Sequence, residues 1–187
     1  MSSSDSVYIT LQYLRTTNGV NKFHWGLYIT ESHPPSGHLL RATDADSRPG
    51  DLHVESQRVK DPRKLTRMVA CLKIAGSPGM AALEYAASAV PLMDDRCLPR
   101  GESQWTSRVW VKEVLNLLER KRYIRLPADL DTIEEQCLHM GDKYLSYMGS
   151  AKVYDDMGWL SSLGPRASEA KYDSYYGTKA MVADTYY

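Results

Sequence analysis

The sequence predicts an α+β fold, an antiparallel β-meander of about four to five strands packed against two or three helices. Two observations predict it. The first third of the chain alternates apolar and polar residues in short segments separated by turn signals, and the middle carries a strong 3.6-residue apolar period. The same patterns divide the chain into a domain over residues 1–149 and a tyrosine-rich tail over residues 150–187.

Val7 to Leu14 reads V-Y-I-T-L-Q-Y-L, rich in β-branched and aromatic residues, and is predicted as a strand. Asn18-Gly19 is a turn signal, and Lys22 to Glu31 is a second strand. Pro34-Pro35-Ser36-Gly37 closes a loop before a third strand, His38 to Thr43. Arg48-Pro49-Gly50 is another turn, followed by the alternating segment Leu52 to Val59. Connections this short imply antiparallel neighbours. Leu65 to Ala75 fits a short helix or a buried strand, and its apolar run, bounded by Pro62 and Gly76, favours the strand.

Met80 to Ala89 is rich in alanine and leucine and stops before Pro91, as a helix would. Ser103 to Arg122 is the clearest helix, with Val111, Val114, Leu115 and Leu118 on one face and Lys112, Glu113 and Glu119 between them. Asp131-Thr-Ile-Glu134 resembles a capping box and opens another helix towards Met148. Beyond Gly149 the pattern weakens, yet Tyr154, Tyr172, Tyr175, Tyr176, Tyr186 and Tyr187 are six of the 13 tyrosines, too many for simple disorder. The tail is expected to lie across the domain or across a partner subunit in a homodimer.

Lys+Arg and Asp+Glu both number 23, so no net field draws the chain to nucleic acid or to an anionic membrane. No apolar run approaches the roughly 20 residues that span a bilayer. Met1 to Ser6 has neither a basic n-region nor an apolar h-region, so a secretory signal is not expected. Cys71, Cys97 and Cys137 are widely spaced and fit neither a metal motif nor a disulfide framework. Reduced thiols in the cytoplasm are the simplest reading, with no metal or cofactor.

Two residues stand out for chemistry. Alternation in Lys22 to Thr30 puts His24, Gly26 and Tyr28 on one face of the strand and Phe23, Trp25 and Leu27 on the other. A strand histidine beside a glycine leaves room for close approach of a helix end or a ligand. Ser107 lies on the inward face of its helix, within a first turn whose N–H groups and dipole favour developing negative charge. Residue type alone also allows blander roles: a backbone-bonded structural histidine, and a serine or threonine N-cap at Ser103, Thr106 or Ser107. Trp105 and Trp110 flank Ser107 and either fill core or line a pocket, core being favoured for large aromatics. His33, His53 and the pairs Asp94-Asp95 and Asp155-Asp156 are expected to be solvated. Cys137 and His139 do not share a helix face.

The stretch Phe23-His-Trp-Gly-Leu-Tyr-Ile29, followed by Gly37-His-Leu-Leu-Arg-Ala-Thr43, resembles permuted papain-like domains: the lecithin:retinol acyltransferase group, distant relatives of NlpC/P60 peptidases, and most of all an uncharacterised fungal branch of that fold. Gln104-Trp-Thr-Ser-Arg-Val-Trp-Val-Lys-Glu-Val-Leu115 resembles the helix that carries the nucleophilic cysteine there, and the likeness spans about residues 7 to 140. The resemblance implies a general-base role for His24. It also places Ser107 at the cysteine position and Arg41 at that of a second histidine.

A serine hydroxyl is a far weaker acid than a thiol, so a Cys–His dyad loses much of its driving force with serine. Arg41, a cation, orients an imidazolium poorly and serves better as an anion or carbonyl clamp. The favoured reading is therefore a small-molecule enzyme, of the kind found in fungal secondary metabolism. It would perform non-covalent acid/base chemistry (isomerisation, cyclisation or dehydration) with His24, Arg41 and Ser107, and Tyr28, Trp105, Arg108 and Trp110 would contact the substrate. The alternatives are a catalytically inactive binding or scaffold pseudoenzyme, and a serine- or cysteine-dependent hydrolase or acyltransferase.

Overall fold

The computed structural model describes residues 5–30, 36–145 and 152–154. Ser6–Thr17 (β1) and Val20–Thr30 (β2) form a hairpin whose two-residue turn, Asn18-Gly19, has positive φ at both positions, 52° and 75°. That geometry matches the right-handed twist of the flanking strands, and Asn-Gly adopts it at least cost. Gly37–Thr43 (β3) and His53–Val59 (β4) extend the sheet on the β2 side. The ambiguous segment is a strand, Met68–Gly76 (β5), antiparallel to β1. Lys152–Tyr154 (β6) pairs in parallel with β5, a sixth strand that the periodicity did not announce. The order across the sheet is β4-β3-β2-β1-β5-β6. The chain is thus α+β, with a five-stranded antiparallel sheet, one short parallel addition and three helices.

The helices are Met80–Ala89 (α1), Ser107–Arg120 (α2) and Leu130–Leu145 (α3). α2 begins four residues later than the apolar period implied. Thr106 is extended (φ −140°, ψ 165°), and its Oγ1 accepts the Val109 N–H at 3.1 Å, which makes it the cap. The helix ends where Arg122 takes φ 60°, with Arg122 N bonded to Glu119 O and Tyr123 N to Leu118 O. In α3 the cap is Asp129, which accepts the Thr132 N–H at 2.8 Å, and not Asp131. Met148 and the tail beyond β6 lie outside the described residues, as do His33 and Asp155-Asp156.

The helices cover one face of the sheet. Ile9, Leu11, Trp25, Leu27, Leu40 and Leu72 from the strands pack with Leu83, Trp110, Val114, Leu118, Ile133 and Met140 from the helices in one large core. Its largest fully buried side chains are Trp25 and Trp110, each 2% exposed or less, and such a side chain is worth about 3–5 kcal/mol against alanine.

The opposite face holds a second, smaller core of Tyr8, Tyr28, Leu39, Val59, Met68 and Cys71. Leu65 packs on this second core, so the connection from β4 to β5 crosses the sheet on the face away from the helices. Cys71 and Cys137 are buried and Cys97 is exposed, all three with free thiols. Among the described residues, no helix is long and apolar enough to cross a membrane.

Candidate functional site

Cross-strand register sets out the site. Gln12 faces His24 across β1 and β2. One step along, Thr10, Gly26, Arg41 and Glu55 form a row across β1, β2, β3 and β4. The next row, Tyr8, Tyr28 and Leu39, belongs to the second core. Directly opposed residues share a face. His24 and Arg41 therefore stand together at the polar end of the face opposite the helices, on the far side of the sheet from Trp25.

Gly26 makes the arrangement possible. A Cβ there would lie 2.7 Å from Thr10 Oγ1 and 3.1 Å from Arg41 Cγ. The Arg41 stem thus occupies the space that any larger residue would need. Its guanidinium reaches both ways along the row: Nη1 donates to Gln12 Oε1 at 3.3 Å, and Nη2 to Glu55 Oε2 at 2.8 Å. Glu55 is its direct partner on β4, and the missing side chain at Gly26 lets the long arginine cross β2 to reach β1. Gln12 is held in turn, since its Nε2 donates to Thr66 O in the β4–β5 connection at 3.1 Å.

Two nitrogens in this cluster are buried without a hydrogen-bond partner in the protein, His24 Nε2 and Arg41 Nε. Burial pushes the His24 imidazole down from 6.5 to about 4, and the nearby Arg41 cation pushes in the same direction; Asp44 and Glu55 oppose it. The ring is consequently neutral at pH 7. Asp44 is itself fixed by the Gly50 N–H, which it accepts at 2.8 Å.

Ser107 is the first residue of α2 and is buried, 9% exposed. Its Oγ accepts the Trp25 N–H at 3.1 Å, at the point where the β2–β3 ladder ends with the Gly26–Arg41 pair. The helix start is thereby docked on the strand beside His24. No hydrogen bond joins the Ser107 hydroxyl to the imidazole, so the fold brings Ser107 to the histidine's chain neighbour and not to its ring.

The four residues expected to contact a ligand are otherwise engaged. Tyr28 is fully buried, its ring 6.1 Å from that of Tyr8. Trp105 is 4% exposed and donates to Asp94 O at 3.1 Å, and Trp110 is fully enclosed in the main core. Arg108 is held by Glu102 and, at 2.8 Å, by the buried Glu134, which also takes Lys112 Nζ at 2.6 Å. These roles follow from size and charge: large aromatics at a helix start fill core, and a half-buried guanidinium needs carboxylates. A depression beside the Pro62–Lys64 turn, lined by Gln57, Val59, Lys60 and Leu65 among others, does not include His24, Arg41 or Ser107.

Sequence reasoning missed Gln12, Asp44 and Glu55. Glu55 could be found by counting back from the Arg48-Pro49-Gly50 turn to its partner Arg41, whereas nothing in the sequence marks Gln12. His53, by contrast, is exposed on β4, as its polar surroundings implied. Comparison with known protein families, curated proteins and solved structures finds no match.

Proposed function

We propose that this chain is a small-molecule enzyme of papain-like descent that uses His24 and Arg41 for non-covalent acid/base chemistry on a small carbonyl compound, an isomerisation, cyclisation or dehydration. One observation carries the reading: His24 Nε2 and Arg41 Nε are buried in one electrostatically coupled cluster with no partner in the protein. Each such atom costs about 1–3 kcal/mol when left unsatisfied, and a ligand that completes both recovers that cost. A neutral imidazole is the form that accepts a proton. Negative charge developing on a carbonyl bound to Arg41 would raise its basicity during the transfer.

The papain-like descent rests on the strand histidine and on a helix whose first residue, Ser107, docks beside it. Covalent catalysis is the weaker alternative, because the Ser107 hydroxyl accepts a backbone N–H and has no hydrogen bond to the ring that would deprotonate it. A binding protein without catalysis is the stronger one, because Arg41 is already committed to Gln12 and Glu55. The three free thiols fit a reducing, cytoplasmic setting.

Incubation in D2O with a panel of small ketones, hydroxy ketones and β-dicarbonyls, followed by NMR, tests the proposal. Exchange at the α-carbon or product formation is expected with the intact chain and is lost in His24→Gln. Equal rates in the two proteins would end the enzymatic reading in favour of a binding protein.

A further inference from the structure

The acid/base reading leaves open what kind of group enters the cluster, and the charges around it decide between an anion and a neutral ligand. Among the described residues, Arg41 is the cation and Asp44 and Glu55 are the anions that act on the imidazole, a net of one negative charge. The guanidinium is also already paired: Glu55 Oε2 lies 2.8 Å from Nη2, and Gln12 Oε1 accepts from Nη1. A carboxylate or phosphate would have to displace Glu55 or sit beside it in a partly desolvated site, where like charges repel strongly. Of the three guanidinium nitrogens, Nε is the one left buried with no acceptor.

The His24 ring supplies the complementary function. A neutral imidazole carries one donor and one acceptor nitrogen. Nε2 has no partner in the protein, and in the tautomer protonated on Nδ1 its lone pair is free to accept. One unpaired donor, on an Arg41 held over Gly26 by Gln12, and one unpaired acceptor, on His24, lie on the same face of the sheet and form a pair.

We infer that this pair takes an uncharged group with a hydrogen-bond donor next to a carbonyl, such as an enol, a hydroxy ketone or a cis amide, with the donor on His24 Nε2 and the carbonyl oxygen on Arg41 Nε. The site discriminates against carboxylates and phosphates. This deepens the acid/base proposal and rests on it for the identity of the site, but it concerns binding alone. An enolisable carbonyl satisfies both descriptions, since its acidic proton is directed to the base and its oxygen to the clamp.

The test uses the full chain labelled with 15N in its histidines, with the His24 signals assigned by their absence in His24→Gln. Four probes are titrated separately: 2-pyrrolidinone, which places an N–H beside a carbonyl; N-methylpyrrolidinone, which lacks the donor; acetate; and inorganic phosphate. 2-Pyrrolidinone is expected to move the His24 Nε2 resonance saturably. N-methylpyrrolidinone should bind about tenfold more weakly, the equivalent of one lost hydrogen bond, and the two anions should leave the resonance in place. Arg41→Lys keeps the charge but removes the Nε–H, and should lose the 2-pyrrolidinone response while its near-UV circular dichroism stays native.

Acetate or phosphate binding as well as 2-pyrrolidinone would overturn the inference, and so would equal binding of the two lactams or no response to any probe. Selective 2-pyrrolidinone binding without α-proton exchange in the carbonyl panel would sink the catalytic reading and leave this one standing. Exchange seen only with keto carboxylates added to that panel would do the reverse.

Discussion

Ser107 stands in for a strand partner of Trp25: its hydroxyl accepts the Trp25 N–H at 3.1 Å where β3 has ceased to pair with β2. The contact fixes the start of α2 against the strand that carries His24. It also gives Ser107 a role that requires no reaction at its oxygen.

Ser107→Ala leaves a buried backbone N–H without an acceptor, and the chain should lose about 1–3 kcal/mol of stability. Urea unfolding at pH 7 measures it. Ser107→Cys, with sulfur as a weak acceptor, should fall between the two. An alanine variant as stable as the parent would show that the Trp25 N–H finds another acceptor and that the docking does not depend on the hydroxyl.

Gly26→Ala would place a methyl group 2.7 Å from Thr10 Oγ1 and 3.1 Å from Arg41 Cγ. Overpacking of this kind costs about 1–3 kcal/mol. Thr10→Ala removes the nearer obstruction, so the double variant should recover part of the loss, with a coupling of roughly 1 kcal/mol in a double-mutant cycle. Additive effects would mean that Arg41, and not Thr10, yields to the new methyl.

Much of this architecture is legible in the sequence, and the misses have physical causes. The Asn18-Gly19 turn and strict alternation give the hairpin and the face of His24, because strand side chains have a period of two. Gln12 escapes the same logic. Thr17 pairs with Val20, and continuing that register would set Gln12 opposite Trp25; an irregularity between Tyr13 and Arg15 shifts the pairing by one, so Gln12 faces His24 instead. A bulge leaves no compositional mark in this strand.

The start of α1 at Met80 is as the sequence implies, whereas those of α2 and α3 differ for a related reason. The apolar period extends back past Thr106 and the acidic residues suit more than one cap, so side-chain hydrogen bonds decide between candidates that the pattern leaves equal. Glu55 is one polar residue among several in the alternation of β4, and it is the register about the Arg48-Pro49-Gly50 turn that sets it opposite Arg41.

Stability should depend on pH through His24. Its folded-state pKa is depressed to about 4 from 6.5, so between those values the unfolded chain binds a proton that the folded chain does not. This contribution is fully present above pH 6.5, is lost as pH falls through the window, and levels off near pH 4. The whole shift corresponds to about 3 kcal/mol. Unfolding free energies across that window should therefore slope more steeply for the parent than for His24→Gln. Parallel slopes would mean that the ring is protonated in the fold or is not desolvated.

The neighbours of His24 predict two opposite displacements of its titration, followed by the imidazole Cε1–H resonance. Arg41→Gln removes a cation that lowers the pKa, so the midpoint should rise from about 4 towards, but not to, 6.5, because burial is the larger cause and stays in place. Glu55→Gln removes an anion that raises it, so the midpoint should drop below that of the parent. Opposite signs are the discriminating feature: unfolding or a general opening of the site would rehydrate the ring and raise the midpoint in both variants. If Glu55→Gln raised it, the Arg41–Glu55 pair would be acting as a cover over the histidine more than as a source of charge, and a carboxylate ligand would again be compatible with the site.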